Sequence, residues 1–389
     1  MTMADAIPRL WVERLALTNF RNYRNATLDL SPQPVVLTGA NGAGKTNLLE
    51  AVSLLAPGQG LRRAAYADIA RLPGDGSWSV AAKVHTDLGA VDIGTGIAPG
   101  ADNAAGRIVR IDGASKGASG VLADYVEVAW LTPAMDGLFT GPGSERRRFL
   151  DRMILCFDAE HGRRASRFER AMQQRNRLLS DGVNDNARFL GLEDMMAETG
   201  VAIAAARAEA ATALQGFSEL RRERDASSAF PWARIAIDGV LEADFDAMPA
   251  LDVEERYRIA LRTGRERDRA AGRTLEGPHR SDLVVEHGPK SMPAKLCSTG
   301  EQKALLLGLV LSHAALTAQR QSGRAPILLL DEVTAHLDAA RRAALFDEIL
   351  LLGTQAWMTG TDAQAFAALA DRAHFLNVAE GGMGVSPPV

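Results

Sequence analysis

Eight consecutive residues, Gly39-Ala40-Asn41-Gly42-Ala43-Gly44-Lys45-Thr46, fit the pattern G-x-x-x-x-G-K-[ST] at every position. Glycines there let the backbone curl until several N–H groups face one point, and together with a helix N-terminus those groups make a positive cradle for phosphates. In that geometry Lys45 reaches the β- and γ-phosphates and the Thr46 hydroxyl supplies one Mg²⁺ ligand. The complementary half is Asp331-Glu332, which follows the apolar run Ile327-Leu328-Leu329-Leu330. A carboxylate emerging at the end of a buried strand stands where ligands collect in α/β sheets, so Asp331 can hold Mg²⁺ and Glu332 can act as base or orient water. Apolar strands also end in acids simply for solubility; here the pairing with the glycine loop favours the chemical reading.

Ser298-Thr299-Gly300-Glu301-Gln302-Lys303 precedes a long apolar stretch. Ser298 with Glu301 three residues on is a capping box, which alone would account for both residues. The same physics makes a capped helix start with an exposed Ser298 and Gly300 an anion site suited to a γ-phosphate. His336-Leu337-Asp338 and Thr359-Gly360-Thr361-Asp362 are turn chemistry placed at the same edge of the sheet.

The elements that must position these residues are legible in outline. Leu10–Leu17, Thr27–Leu30 and Val35–Thr38 read as strands, the last ending at Gly39. Leu48, Leu49, Val52 and Leu55 recur at helical spacing and stop at Pro57-Gly58. Trp78–Ile111 reads as hairpins, and Val126–Leu131 as a further strand. From Ser144 to about Arg273 the sequence turns rich in Ala, Arg, Glu and Leu. That stretch predicts a mainly helical insertion, clearest over Ala202–Leu220, with one strand at Ala233–Val240. Strand texture returns at Asp282–Val285, followed by a helix over Gln302–Ala318 and strands at Ile327–Leu330 and Gln355–Thr361. The expected organisation is an α/β lobe formed by 1–140 and 273–389, with a helical lobe, 141–272, inserted between.

The chain has 389 residues, 47% hydrophobic and 24% charged, ordinary for a globular protein of two or three domains. Its net charge of −4 gives no global pull on nucleic acid. The distribution is uneven: ten arginines face five acids from Ser144 to Arg177, and eight face four from Arg256 to Asp282. On one shared face they would form a phosphate-binding stripe without base reading; paired with neighbouring acids they would be an ordinary solvated surface. Cys156 and Cys297, the two cysteines, follow no metal or redox spacing, which suits a reducing cytoplasm. No secretory signal and no bilayer-spanning run is expected.

Glycine loop, Ser-x-Gly turn and Asp-Glu strand, in this order and with a wide gap after the first, resemble the ABC ATPases. More narrowly the chain resembles the RecF family, bacterial recombination-mediator ATPases related to SMC heads. The likeness rests on Leu17-Thr18-Asn19-Phe20-Arg21-Asn22-Tyr23, Asn41 to Glu50, Arg146-Arg147-Arg148-Phe149-Leu150-Asp151, Gly277-Pro278-His279-Arg280-Ser281-Asp282 and the Ser298 turn, and it covers essentially the whole chain. It implies an ABC-type P-loop lobe with a helical second lobe. It also implies an ATP-dependent homodimer that closes on DNA at gaps and single-strand/double-strand junctions, works with RecR and RecO to help load RecA, and reopens on slow, DNA-stimulated hydrolysis. Each ATP would contact Gly39, Ala40, Asn41, Gly42, Ala43, Gly44, Lys45, Thr46, Asn47 and Arg21 of one subunit, and Ser298 and Gly300 of the other. Two departures stand out. Thr361-Asp362 occupies the place of a switch histidine, and Ala134-Met135-Asp136 follows Pro133 where the family often has an acidic pair. About 130 inserted residues without sustained heptads separate the chain from long coiled-coil relatives. Two other readings are a DNA scaffold with a vestigial nucleotide site, against which the full set Lys45, Thr46, Asp331 and Glu332 speaks, and a small-molecule phosphotransferase, which leaves the Ser298 turn unexplained.

Overall fold

The computed structural model describes residues 10–101, 106–224, 230–379 and 382–385. The chain divides into two compact units: Met1–Asp136 with Ser227–Phe230 and Thr299–Val389, and Gly137–Ala226 with Pro231–Ser298.

The first unit opens with β1 (Trp11–Phe20), β2 (Tyr23–Asp29), β3 (Val35–Thr38) and α1 (Lys45–Ser53), then β4 (Trp78–Thr86), β5 (Gly89–Ile97), β6 (Ile108–Ile111), β7 (Ala114–Gly117) and β8 (Val128–Leu131). The second unit contributes α2 (Gly143–Leu155), α3 (His161–Ser180), α4 (Asn186–Arg224), β9 (Ala233–Asp238), α5 (Val240–Asp244), α6 (Ala250–Thr263), α7 (Arg265–Ala271), β10 (Asp282–His287) and β11 (Met292–Pro293). The chain then returns to the first unit with α8 (Thr299–Arg320), β12 (Ile327–Leu330), α9 (Ala339–Leu352), β13 (Ala356–Thr359), β14 (His374–Ala379) and β15 (Gly382–Val385).

Two sheets build the first unit. One is antiparallel, in the order β2-β1-β4-β5-β6-β7. The other runs β15-β14-β3-β13-β12-β8, parallel except for the antiparallel edge strand β15. All four residues of β3, β8, β12 and β13 are buried, as expected of parallel strands covered on both faces. Gln355 ties the sheets together. Its amide donates to the Val12 and Ser31 carbonyls at 3.1 and 3.0 Å, and its carbonyl accepts from the Val12 amide at 2.9 Å and the Trp357 indole at 3.1 Å. Every donor and acceptor position of that buried side chain is used, so its hydrogen bonds offset the cost of desolvation. α8 is buried from Gln302 to Ala314, the signature of a helix inside a core rather than on a surface.

The second unit is mainly helical. The segment expected at Ala202–Leu220 lies towards the carboxyl end of a 39-residue helix, about 58 Å long at the standard rise. Phe168, Met196, Val201, Val253, Tyr257 and Leu261 fill the core between α3, α4 and α6. One sequence expectation fails here. The expected α/β lobe includes the strand beginning at Asp282 within 273–389; instead β10 pairs antiparallel with β9 across Asp282↔Asp238 to His287↔Ala233 and lies in the second unit. The reason is that β9 is an exposed-edged strand that needs a partner, and a six-residue alternating run satisfies it as well as it would a lobe sheet.

Buried polar networks stitch this unit. Arg175, fully buried, donates to Glu193 at 3.1 Å, Asp268 at 2.7 Å, Thr274 at 2.9 Å and the Leu261 carbonyl at 2.7 Å. Asp151 accepts from Arg207 at 2.8 and 2.9 Å and meets His161 at 2.9 Å. Burial alone would raise the Asp151 carboxyl, but His161 and Arg207 outweigh it and hold it down to about 2 from 3.8.

Two predictions follow from these networks. Arg175→Ala takes the buried cation from Asp268 and leaves Glu193 with Arg265 alone, and should lower stability by about 3–5 kcal/mol in urea denaturation. Because the folded carboxyl of Asp151 titrates below the unfolded one, its stabilisation is present above about pH 4 and is lost as pH falls towards 2. Asp151→Asn should therefore cost about 2 kcal/mol at neutral pH and flatten the acid limb of the stability profile between those values.

Candidate nucleotide site

β3 ends at Thr38, and the chain curls through residues 39–44 before α1 starts at Lys45. The curl demands glycine at two points. Gly39 has φ +137° and a β-carbon there would come 2.2 Å from the Val378 carbonyl oxygen. Gly44, the left-handed N-cap of α1, has φ +115°, and a β-carbon would press on Asn22 at 2.6 Å. Asn22 and Tyr23 support the loop from below: Asn22 donates to the Ala43 carbonyl at 3.0 Å, Tyr23 to the Gly44 carbonyl at 3.1 Å, and Asn47 to the Asn22 side chain at 2.7 Å. The motif around Arg21 thus works as a platform for the loop. Only Arg21 was expected at the site; the contributions of Asn22 and Tyr23 depend on cross-sheet proximity that spacing does not reveal.

Lys45 is nearly buried, and its ammonium donates to the Gly39 and Ala40 carbonyls at 2.6 and 2.9 Å. Burial pushes its pKa down, while the Glu332 and Asp331 carboxylates pull it back. Asn41 and Gly42 are exposed at the crest of the loop, Ala43 is buried beneath it.

Asp331, 5% exposed at the end of β12, joins the two halves of the site. It accepts from the Thr46 hydroxyl at 3.0 and 3.1 Å and from the Thr359 hydroxyl at 2.8 Å. Thr359 in turn accepts from the Glu332 amide at 2.7 Å. A hydroxyl and a carboxylate converging at a helix N-terminus beside a lysine form an oxygen donor set that fits Mg²⁺ with a polyphosphate. Glu332 itself is exposed and has a left-handed backbone, φ +47°, rare for a residue with a side chain.

Arg21 lies beside α1. Its guanidinium is forked onto the buried Glu50 carboxylate at 2.8 and 2.6 Å and also donates to the Asp68 carbonyl at 2.7 Å. Arg62 shares Glu50 at 3.0 Å and reaches Asn47 at 2.5 Å. Two arginines on one buried carboxylate, next to the loop, are a feature that sequence spacing did not disclose. Arg107, also buried, donates to the carbonyls of Leu54, Ala56 and Gly58 and so caps the far end of α1.

Ser298 is exposed and closes the second unit, one residue before α8. Gly300 sits in the first turn of α8, where a β-carbon would stand 3.9 Å from the His336 carbonyl. Asp338 caps α9 by accepting from the Arg341 amide at 2.8 Å, and Asp362 accepts from the Gln364 amide at 2.9 Å, so these acids serve turns. Thr361 is exposed beside it.

The remaining motifs belong to the second unit and hold it together. Arg146 is forked onto Asp282 at 2.8 and 2.7 Å, Arg147 donates to the Ser281 carbonyl at 2.7 Å, and Arg207 reaches Ser281 at 3.0 Å. His279 meets the Thr274 carbonyl at 3.0 Å and its pKa is lowered by burial. Much of the arginine excess is also internally paired: Arg163 with Glu160, Arg164 with Asp158, Arg258 with Glu254, Arg265 with Glu193 and Arg267 with Glu276. Arg148, Arg167, Arg170, Arg273 and Arg280 are exposed.

A family profile described as the RecF/RecN/SMC N terminal domain matches residues 11–374. The chain is 57% identical to the DNA replication and repair protein RecF of Mesorhizobium japonicum over 96% of its own length and 97% of the relative's. It is 55% identical to the protein of that name from Brucella suis, over 96% of each. In fold it is similar to a solved recombination mediator protein RecF-ATPrS, with TM-score 0.83, 20% identity, and 98% and 99% of the two chains covered. It is also similar to an SMC head bound to the C-winged helix domain of ScpA, with TM-score 0.56, 16% identity and 97% of each chain covered. With its glycine loop, its Asp331 centre and these relatives taken together, the chain belongs to the RecF family of the RecF/RecN/SMC group.

Proposed function

We propose that this chain is a DNA-binding ATPase of replication and recombinational repair, in which ATP binding joins two copies on DNA and hydrolysis releases them. The observation that carries the reading is the single site formed by Lys45, Thr46, Asp331 and Glu332, with Thr359 linking the last two, in a chain whose relatives are DNA replication and repair proteins.

The loop amides of residues 40–46 and the N-terminus of α1 hold the phosphates, and Lys45 turns from the loop carbonyls to them. When bound, Mg²⁺ neutralises charge on the terminal phosphates; Thr46 and Asp331 are the residues that would hold it. Glu332 stands at the end of β12 to orient water and take its proton. Ser298 and Gly300, at the start of α8, complete the γ-phosphate contacts from the partner copy, the arrangement that the family resemblance implies. Hydrolysis is slow and stimulated by DNA. The DNA is gapped or at a single-strand/double-strand junction, held through its backbone by the exposed arginines of the second unit rather than through its bases. RecR and RecO are the partners and RecA the downstream beneficiary. Among the described residues no helix is long and apolar enough to cross a membrane, and the place of action is the cytoplasm.

Three measurements test this. Glu332→Gln should trap the ATP-Mg²⁺ state, giving dimers by light scattering; monomers persisting at saturating nucleotide overturn the switch. Thr359→Val removes the hydroxyl that orients Asp331 and should raise the Mg²⁺ concentration needed for nucleotide binding by about 10–100-fold, read by titration of Mg²⁺ against fluorescent ATP. Affinity for gapped DNA should fall steeply between low and physiological salt, with little dependence on sequence.

A further inference from the structure

Glu332 holds a left-handed backbone, φ +47°, which costs a residue with a β-carbon about 1 kcal/mol or more and persists only where neighbours impose it. Its amide is fixed by Thr359 at 2.7 Å. Its carbonyl is fixed from the other side: it accepts from the Ala335 amide at 3.1 Å and faces the Lys303 ammonium at 3.4 Å. Lys303 comes from the first turns of α8 and is only 3% exposed. A buried ammonium needs an anion. Asp136 supplies it: its Oδ2 is 3.6 Å from Lys303 Nζ.

Asp136 is placed for this by the single turn Pro133–Met135 that follows β8, its amide returning to the Pro133 carbonyl at 3.1 Å. Its second oxygen, Oδ1, is buried and has no hydrogen-bond partner, so the carboxylate is held for Lys303 at the expense of its own satisfaction.

We propose that Lys303 is a positioning residue for hydrolysis, oriented by Asp136, and that this pair locks the Glu332 peptide in the left-handed conformation that aims its carboxylate at the attacking water. The inference rests on the ATPase reading above. Displacing the base by about 1 Å costs on the order of 100-fold in rate while leaving nucleotide contacts intact.

The test compares Asp136→Asn, Lys303→Met, Lys303→Arg and the Asp136→Asn/Lys303→Met pair with the unmodified protein in steady-state ATP hydrolysis, fluorescent-nucleotide binding and thermal melting. A positioning role predicts that Lys303→Met lowers kcat by about 10–100-fold with nucleotide affinity within about threefold. It predicts that Lys303→Arg recovers most of the loss, that Asp136→Asn lowers kcat in the same sense, and that the pair is no worse than Lys303→Met alone. Unchanged kcat in Asp136→Asn overturns it, and that variant decides the matter should Lys303→Met not fold. Parallel loss of affinity, melting temperature and kcat without rescue by arginine also overturns it, as a merely structural contact. If the unmodified protein itself turns over no ATP, the ATPase reading fails and this inference with it, an outcome distinct from a live enzyme indifferent to these substitutions.

Discussion

Everything at the candidate nucleotide site depends on one carboxylate. Asp331 receives a hydroxyl from Thr46, 285 residues away in sequence, and another from Thr359 on the neighbouring strand. It is nearly buried, and a buried charge is tolerated only when its lone pairs are met. The parallel register β8-β12-β13-β3 delivers the ends of β3, β12 and β13 to the same edge, and the apolar strands hold that edge fixed. Burying side chains such as Leu328 and Leu329 contributes roughly 1.5–3 kcal/mol each, and that is the energy that keeps a polar constellation from relaxing into solvent.

The second unit reaches rigidity by a different route. Its helices are rich in charge, so its interior is stitched with ion networks around Arg175 and Asp151 as well as with apolar contacts. Such networks define a unique arrangement more than they add stability, because each ion gives up its hydration to join. The motifs that carry the family resemblance, around Arg146 and around Pro278, are halves of this stitching: Arg146 with Asp282, Arg147 with the Ser281 carbonyl. Arginines that looked available for phosphate are in several cases spoken for by acids of the same unit.

The sequence made the glycine loop, the Asp331-Glu332 strand end and the helical character of the insertion legible because each is written in adjacent residues with a local physical cause. It did not make legible what depends on distant partners. The strand at Asp282 alternates like any half-buried strand, and nothing local says that β9 will claim it. Arg21 is expected near the phosphates from the resemblance, and nothing local says that the fold will place the buried Glu50 carboxylate against it. Thr359 looks like the end of an ordinary strand, since its value lies in the two groups it bridges. Asn22, Tyr23 and Arg62 are invisible for the same reason.

The guanidinium of Arg107 has a wider bearing. It closes the carboxyl end of α1 from the antiparallel sheet, where it also meets the Thr95 hydroxyl at 3.0 Å, while the glycine loop closes the amino end. The helix that presents Lys45 and Thr46 is therefore clamped like a beam at both supports. Loss of that guanidinium would leave the carbonyls of Leu54, Ala56 and Gly58 without their shared donor and free the carboxyl end of the helix from the hairpin strands β5 and β6.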